Sequence, residues 1–205
     1  MKNIPLLFLF ILVVSCSAVG IRNYEEPKYE TTLKEGKFEV REYSDMLIAQ
    51  TTSAGNYKES SGENFERLAG YIFGKNKAKK KMAMTTPAFQ KEQSEKMAMT
   101  TPVFQQQSNT SWTMTFVLPS QYSIDTIPIP LDENVSVNVL PKVKVATLQF
   151  SGRLNEGNIT KHTQILENWV MENNFMAKAL PYSAAYDPPW ALPLLRRNEI
   201  HIPIE

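Results

Sequence analysis

The stretch MLIAQTTSAGNYKESSGENFERLAGYIF, at residues 46–73, has a faint counterpart without gaps in VKVATLQFSGRLNEGNITKHTQILENWV, at residues 143–170. Each copy begins with a strand-like segment and passes through a glycine, Gly55 or Gly152, into a segment whose apolar residues recur at helical spacing. The chain therefore contains two similar halves, each with one amphipathic helix.

Additional strands are predicted around each copy. One precedes each copy, at Val40 and at Val137, which align at the same spacing as the rest of the repeat. After the helices, strand-like sequence returns at 112–118 in the first half and at 184–186 and 198–204 in the second. Runs of strands with one helix per half are typical of the α+β class, in which helices cover one side of an antiparallel sheet. The sequence thus predicts two pseudo-symmetric strand-strand-helix-strand-strand halves, with a cleft between helix and sheet.

The composition argues against several classes of protein. The chain has 205 residues, a length that suits one domain or two small ones. Its 22 basic and 21 acidic residues provide no bulk charge for nucleic-acid binding. A single cysteine excludes an internal disulfide, and two histidines argue against a histidine-rich metal site. The glycine spacing matches neither a dinucleotide-binding fingerprint nor a P-loop.

Residues 1–16 are predicted to be a signal peptide that ends in a lipobox. The apolar run at 6–14 is about half as long as the ~20 residues that a membrane-spanning helix needs. The sequence VVSC that ends the segment resembles the bacterial lipobox, so we expect Cys16 to be lipidated and to become the N-terminus. Ser17 then favours an outer-membrane lipoprotein that faces the periplasm. The alternative is secretory cleavage after Ala18, which would give a secreted protein.

The mature chain is predicted to consist of a tether and one domain. Residues 17–28 are small and polar and contain Pro27, so we assign them to a linker. Residues 29–205 are then a single domain, which we expect to be monomeric and attached to the membrane through the N-terminal lipid.

A second, literal repeat carries paired methionines. KMAMTTP occurs at 81–87 and again at 96–102. Strand alternation would place the two methionines of each copy on one face, and the proline would end the strand or confine it to an edge. Packing explains such pairs, although a methionine can also be an axial ligand of heme.

Several motifs, taken in order, resemble the SOUL heme-binding protein family. They are the two K-x-A-M-T-x-P copies, FVLP at 116–119, FSG at 150–152, YDPPW at 186–190 and RRNEI at 196–200. The resemblance covers roughly residues 28–205 and implies a distorted antiparallel β-barrel flanked by two helices. It also implies binding of heme or another tetrapyrrole in an apolar cleft beside the first helix, with basic residues near the propionates. A histidine that precedes the first helix is a proposed ligand in some members. This chain has no histidine before His162.

The resemblance and the helix pattern together nominate a cofactor-binding set. It comprises Phe65, Arg67, Leu68, Tyr71, Ile72 and Trp190. The apolar stripe of Phe65, Leu68 and Ile72 is equally explained as the core face of the helix. Tyr71 lies off that stripe and is predicted to line the cleft. Arg67 is predicted to pair with a propionate, or else to be a solvated helix charge. Trp190 is predicted to cover the mouth of the cleft.

Three further features are candidate heme contacts. Five lysines at 75–81 would attract propionates or anionic lipid head groups, or they belong to a solvated loop. His162 aligns with Phe65 in the long repeat and is predicted to pack at the edge of the core. His201 alternates with Ile200 and Ile202 and is predicted to face solvent. Both histidines are weak candidates for the axial ligand.

Non-catalytic binding of a tetrapyrrole at the cell envelope is the function that these patterns predict. One alternative is a two-repeat ligand-sensing module that binds another small apolar ligand, such as an apolar cation. The other is a tetrapyrrole-modifying enzyme. The sequence has no G-x-S-x-G motif and no nucleophilic Cys/His pair, which argues against an enzyme. A polar Tyr–Glu pair deep in the cleft would favour one.

Overall fold

A curled antiparallel sheet with two helices makes up the part of the chain that the computed structural model describes, residues 24–79 and 94–205. The helices are α1 (Tyr57–Ile72) and α2 (Glu156–Glu172), and a 3₁₀ turn covers Pro193–Leu195. The strands are β1 (Tyr29–Glu35), β2 (Phe38–Tyr43), β3 (Met46–Ala54), β4 (Asn76–Lys77), β5 (Val103–Ser108), β6 (Ser111–Val117), β7 (Ile129–Pro130), β8 (Ser136–Leu140), β9 (Val143–Phe150), β10 (Tyr182–Ala185) and β11 (Asn198–Pro203).

The main sheet has nine strands in the order β1-β2-β9-β11-β10-β5-β6-β3-β8, and β4 pairs with β7 separately. All of its pairings are antiparallel, and the sheet curls into a half-barrel. This architecture confirms the predicted α+β class with two halves and two flanking helices.

The two halves interlock through their first strands. In the register of β2 and β9, Val40 lies opposite Ala146. In the register of β3 and β8, Ala49 lies opposite Val137. These two pairs are equivalent in the long repeat, because Val40 aligns with Val137 and Ala49 with Ala146. The strands that precede the two repeat copies, β2 and β8, therefore each pair with a strand of the other half, β9 and β3 respectively. This exchange joins the two halves into one sheet.

The connection from strand to helix is built in the same way in both halves. Gly55 and Gly152 have φ angles of 120° and 115°, a region that L side chains rarely adopt. An asparagine then caps each helix: the side chain of Asn56 accepts from the amide of Glu59, and that of Asn155 accepts from the amide of Asn158. The predicted glycine-containing loop is therefore a structural requirement of both halves.

Each helix packs on the sheet of its own half, α1 on β3 and β6, and α2 on β9 and β11. On the other side, the curl of the sheet encloses a third cluster that includes Tyr43, Phe104 and Tyr186. Strand β11 is consequently covered on both faces. Ile200 and Ile202 belong to the cluster under α2, whereas the ring of His201 lies among those of Tyr43, Phe104 and Tyr182.

The predicted linker at 17–28 differs from its sequence-based description in one respect. The predicted signal peptide, Cys16 and the first KMAMTTP copy lie outside the described residues. The last residues of the predicted linker are attached to the domain: the amide of Thr101 donates to the carbonyl of Glu25, and Glu26 pairs with Arg197. In the second KMAMTTP copy Met97 is buried and Met99 half-buried, with exposed Ala98 between them, but Thr100 is buried as well, so the predicted alternation does not continue. Apart from a bridge at Thr100, that extended segment is outside the sheet.

Candidate functional site

Helix α1 separates the predicted site residues onto three faces. Its buried face consists of Ser60, Asn64, Leu68, Tyr71 and Ile72. The prediction that Tyr71 lines a cleft is wrong, because its ring is enclosed and its hydroxyl donates to the carbonyl of Pro128 at 2.7 Å. Burial also raises the pKa of Tyr71. Leu68, Tyr71 and Ile72 therefore belong to the core between α1 and the sheet.

Phe65 is not part of that core face. Its side chain is 44% exposed, and its edge contacts Phe116 of β6 with the ring centroids 5.7 Å apart. Phe73, two turns further on, is 56% exposed. At about 100° per residue, Phe65, Ala69 and Phe73 lie along one flank of the helix. Two large aromatic side chains are therefore presented to solvent with a small residue between them.

Small and apolar residues lie beside Phe65 and Phe73, both on the helix and on the neighbouring segment. We call Lys58, Gly62, Phe65, Ala69 and Phe73 the Phe65 flank, because helical spacing places all five on it. A Cβ atom built on Gly62 would meet nothing within 4 Å, so the helix surface is open there. On the neighbouring segment Met99 and Val103 are half-buried and pack against the cluster that contains Phe116. The result is an apolar shelf with Lys58 at one end.

Arg67 lies on the opposite flank of α1, where it faces carboxylates. Its guanidinium pairs with Glu63 at 2.6 Å and approaches Asp132 at 3.9 Å. A cavity of about 280 Å³ opens here, lined by Glu63, Glu66, Arg67, Lys75 and Asp132. Three carboxylates against two cations give these walls a net charge of −1. This cavity is polar and repels anions, and the described structure does not combine Arg67 with Phe65 in one apolar cleft.

Trp190 and the lysines occupy other positions. Trp190 is 74% exposed in the loop before β11 and is not among the described residues that line the cavity. The side chain of Lys75 lies against Gly70, and Lys79 donates to the carbonyl of Ile124 at 2.8 Å. Lys80 and Lys81 are outside the described residues.

His162 packs as predicted, at the edge of the core under α2. Its ring stacks on Phe150 with the centroids 3.8 Å apart and an interplanar angle of 11°. Nδ1 lies 2.7 Å from the carbonyl oxygen of Asn158. Since a carbonyl only accepts, Nδ1 is the donor in this hydrogen bond.

The prediction that His201 faces solvent is wrong, because this residue is 0% exposed. Alternation along β11 did turn it away from Ile200 and Ile202, but that direction is the interior of the curl. Its Nε2 lies 2.8 Å from the Glu199 carboxylate, while Nδ1 has no hydrogen-bond partner among the described residues. Burial lowers the pKa of His201. The hydrogen bond to Glu199 and the negative charge of Glu199 offset only part of this lowering.

Glu199 is the centre of a buried network. Arg197, two residues before it in the chain, donates to its carboxylate at 2.9 Å. Arg41 of β2 adds two bonds at 2.8 and 3.2 Å, and the hydroxyl of Tyr186 adds one at 2.9 Å. The Arg197 guanidinium also lies 3.6 Å from the centre of the Tyr186 ring.

The electrostatics of the network keep Glu199 ionised. Burial by itself raises the pKa of this carboxyl, but hydrogen bonds and charge from His201 and Arg41 outweigh burial and hold the pKa well below its usual range. Burial raises the pKa of Tyr186, and the Glu199 charge raises it further. A paired carboxylate and a neutral phenol are therefore locked together, which is how buried charges persist in folded proteins.

No group of three or more histidine, cysteine, aspartate or glutamate side chains suited to a metal ion occurs in residues 24–79 and 94–205. In the same ranges, no helix is both long and apolar enough to cross a membrane.

The fold is an α+β domain of two similar halves, and comparison with known proteins defines the family. The model of the SOUL heme-binding protein family matches residues 24–203, and the chain belongs to this family. Heme-binding protein 1 of Xenopus laevis is 26% identical over 194 residues, which cover 94% of this chain and 97% of that protein. Heme-binding protein 1 of Xenopus tropicalis is 27% identical over 183 residues, 88% of this chain and 91% of that protein.

Solved structures support the fold. The C-terminal domain of EcmrR has a TM-score of 0.57 at 14% identity, over 86% of this chain and 98% of that one. A hydrolase from Listeria innocua has a TM-score of 0.55 at 9% identity, over 85% of this chain and 94% of that one. At these identities the likeness is one of architecture alone.

Proposed function

We propose that this protein binds heme or a related tetrapyrrole, without changing it chemically, against the Phe65 flank of α1. Two arguments support this function. The chain belongs to a heme-binding family and shares about a quarter of its residues with proteins named heme-binding protein 1. The single observation that carries the site is the pair of exposed aromatic residues, Phe65 and Phe73, on an open helix flank that has small residues between them and Lys58 at one end.

The residues of this flank fit the chemistry of a tetrapyrrole. Such a ligand has a broad apolar face and carboxylates at one edge, and it needs apolar walls with a small number of polar contacts. Phe65, Ala69, Phe73 and Val103 would pack on the ring face. Lys58, an exposed cation two turns before Phe65, would attract a carboxylate at the edge. When bound, heme supplies an iron centre. Met99, on the segment beside the flank, carries a half-buried thioether, a donor type that can ligate heme iron.

The opposite flank is the weaker site for the same ligand. The charge of Arg67 is already balanced by Glu63 and Asp132, so it has little to offer a propionate. The net negative wall of that cavity would repel one. The position of heme is therefore proposed on the Phe65 flank, and Arg67 is the natural control.

The buried network supports binding over catalysis or cation sensing. Tyr186 and Glu199 form a deep polar pair, the feature that would favour an enzyme. However, Glu199 accepts from two arginines, a tyrosine and a histidine at once. A carboxylate so fully engaged has no lone pair left for substrate protons and no free charge for an apolar cation.

We also propose that the protein resides at the bacterial envelope as a lipoprotein attached through Cys16. The support is the VVSC sequence that ends the apolar run. Cys16→Ala should block processing or release soluble protein, because several acyl chains on one cysteine anchor durably whereas one does not. Intact mass and membrane fractionation measure this. Unchanged mass and fractionation in the variant would contradict lipidation and leave secretory cleavage after Ala18.

Titration of the purified protein with hemin, followed by absorbance, tests the binding function. We expect a saturable shift of the Soret band, with the pigment recovered unaltered after extraction. A parallel titration uses an apolar cation such as tetraphenylphosphonium. Binding of the cation with no Soret shift would replace this function by the ligand-sensing one, and a chemically altered pigment would replace it by an enzymatic one.

A further inference from the structure

The loop between β10 and β11 presents large apolar side chains to solvent. Trp190 is 74% exposed, Leu192 51% and Leu194 84%. Single exposed apolar residues are common on proteins, but three within five positions on one loop form a patch that marks a contact surface. None of the three lies on the Phe65 flank.

The backbone of this loop is braced, so the apolar side chains are held outward. The guanidinium of Arg196 donates to the carbonyls of Ala191 and Pro189 at 2.9 and 2.5 Å. The amide of Gly152 donates to the carbonyl of Pro193 at 2.8 Å. At the base of the loop, the amide of Arg197 donates to the Asp187 carboxylate at 2.6 Å. These hydrogen bonds therefore hold the loop backbone in the conformation that exposes the three side chains.

The N-terminal segment joins the domain at the base of the same loop. Glu26 pairs with Arg197, with its two carboxylate oxygens 3.3 and 3.1 Å from Nη1. Cys16 precedes Glu26 by ten residues. A fully extended chain spans at most about 3.6 Å per residue, so the Cα atoms of Cys16 and Glu26 lie within about 36 Å of each other. A lipid on Cys16 would thus hold this end of the domain close to the bilayer.

We propose that Trp190, Leu192 and Leu194 dock into the interfacial layer of the phospholipid bilayer that holds the Cys16 lipid. This inference rests on the proposed lipidation of Cys16 and is independent of heme. Tryptophan is enriched at the membrane–water interface because one end of its ring is apolar and the other donates a hydrogen bond. The loop adds a second contact to the lipid and fixes how the tethered domain is oriented.

The test places one fluorophore on the loop of the full-length, lipidated protein. The chain has a single cysteine, and its sulfur is consumed by the lipid, so Leu194→Cys creates the one thiol that reacts with the environment-sensitive dye NBD. The matched control is Met176→Cys, which is 65% exposed. Met176 lies at the other end of β11 from Arg197, because the amide of Glu205 donates to its carbonyl. Both variants are reconstituted into phosphatidylethanolamine–phosphatidylglycerol vesicles, with or without nitroxide-labelled lipid.

We expect emission from position 194 to be blue-shifted and to be quenched by nitroxide lipid several-fold more strongly than emission from position 176. Equal quenching at the two positions would overturn the proposal. A blue shift at 194 without nitroxide quenching would also overturn it, because a second copy of the chain would then cover the loop. Flotation of the vesicles is scored separately, so failure of the lipid attachment is distinguished from failure of the loop to dock.

Discussion

Arg41 and Glu199, which are 158 residues apart in the chain, form a doubly hydrogen-bonded ion pair in the interior of the curl. The side chains are 3% and 0% exposed. Arg41 belongs to β2 and Glu199 to β11, and β9 lies between these strands in the sheet. The pair therefore connects the first half of the chain to its last strand across an intervening strand.

Removal of one partner from this pair should be costly. Arg41→Met leaves the Glu199 carboxylate buried with less compensation, and we expect a loss of about 3–5 kcal/mol in the free energy of unfolding. Urea denaturation measures it. The control is Arg67→Met, which breaks a partly exposed pair worth about 0–1 kcal/mol. A loss in Arg41→Met as small as that expected for Arg67→Met would contradict the prediction that the network stabilises the fold.

The stability of the protein should fall in acid in two steps. Burial lowers the pKa of His201 below its ordinary value of 6.5, so below that pH the unfolded chain takes up a proton that the native protein refuses. The pKa of Glu199 lies well below its ordinary value of 4.5, so the stabilisation from its ionised form is lost as the pH falls further. The melting temperature should therefore decrease below pH 6.5 and decrease again below pH 4.5.

His201→Gln separates these two steps. Glutamine keeps an N–H donor for Glu199 but does not titrate, so the first decrease should disappear while the second remains. Melting temperatures measured across this pH range decide the matter. Persistence of the first decrease in the variant would assign it to another group.

The two loop glycines should tolerate no side chain. Gly152→Ala places a Cβ at a φ of 115°, and we expect a loss of about 1–3 kcal/mol. Gly62→Ala is the matched control, since that glycine lies inside α1 with open space around it and alanine should add about 0.5–1 kcal/mol there. Opposite signs in thermal or urea unfolding confirm the prediction, and equal effects would contradict it.

The sequence predicted the architecture well because the repeat aligns residues that are structurally equivalent. The Val40–Ala146 and Ala49–Val137 pairs, and the matching φ angles of Gly55 and Gly152, all fall at the spacing read from the sequence. The exchange of first strands between halves could not be predicted, because strand order depends on contacts between segments about a hundred residues apart.

The site was harder to predict, because burial depends on which faces of an element are covered. His201 was expected to face solvent, since alternation alone does not reveal that β11 is central in the sheet and covered on both sides. The sequence pattern places Tyr71 one residue away from the core stripe of α1. The contact between α1 and the sheet is broad enough to bury Tyr71 as well. The sequence does contain a pattern that indicates the Phe65 flank: Gly62 and Ala69 are small residues at helical spacing beside Phe65 and Phe73.

The iron of bound heme should show no strong bis-histidine ligation. His201 is enclosed, and His162 stacks on Phe150, so neither is presented on the Phe65 flank. The electronic spectrum should be that of a largely high-spin heme and should change little in His201→Gln. His162→Ala should act on stability, since it removes a packed ring. A low-spin, six-coordinate spectrum that collapses in either variant would identify that histidine as the ligand.

The most direct test of the account compares hemin affinity in Phe65→Ser and Arg67→Ser. The same substitution is made two residues apart on opposite flanks of α1, and circular dichroism checks that helix content is unchanged. Phe65→Ser removes an aromatic contact that contributes about 1.5–3 kcal/mol to the binding free energy, so the hemin affinity should fall roughly tenfold or more. Arg67→Ser should remain close to the parent protein. Equal affinities for Phe65→Ser and the parent, with a marked loss in Arg67→Ser, would contradict the account and move the ligand to the polar flank.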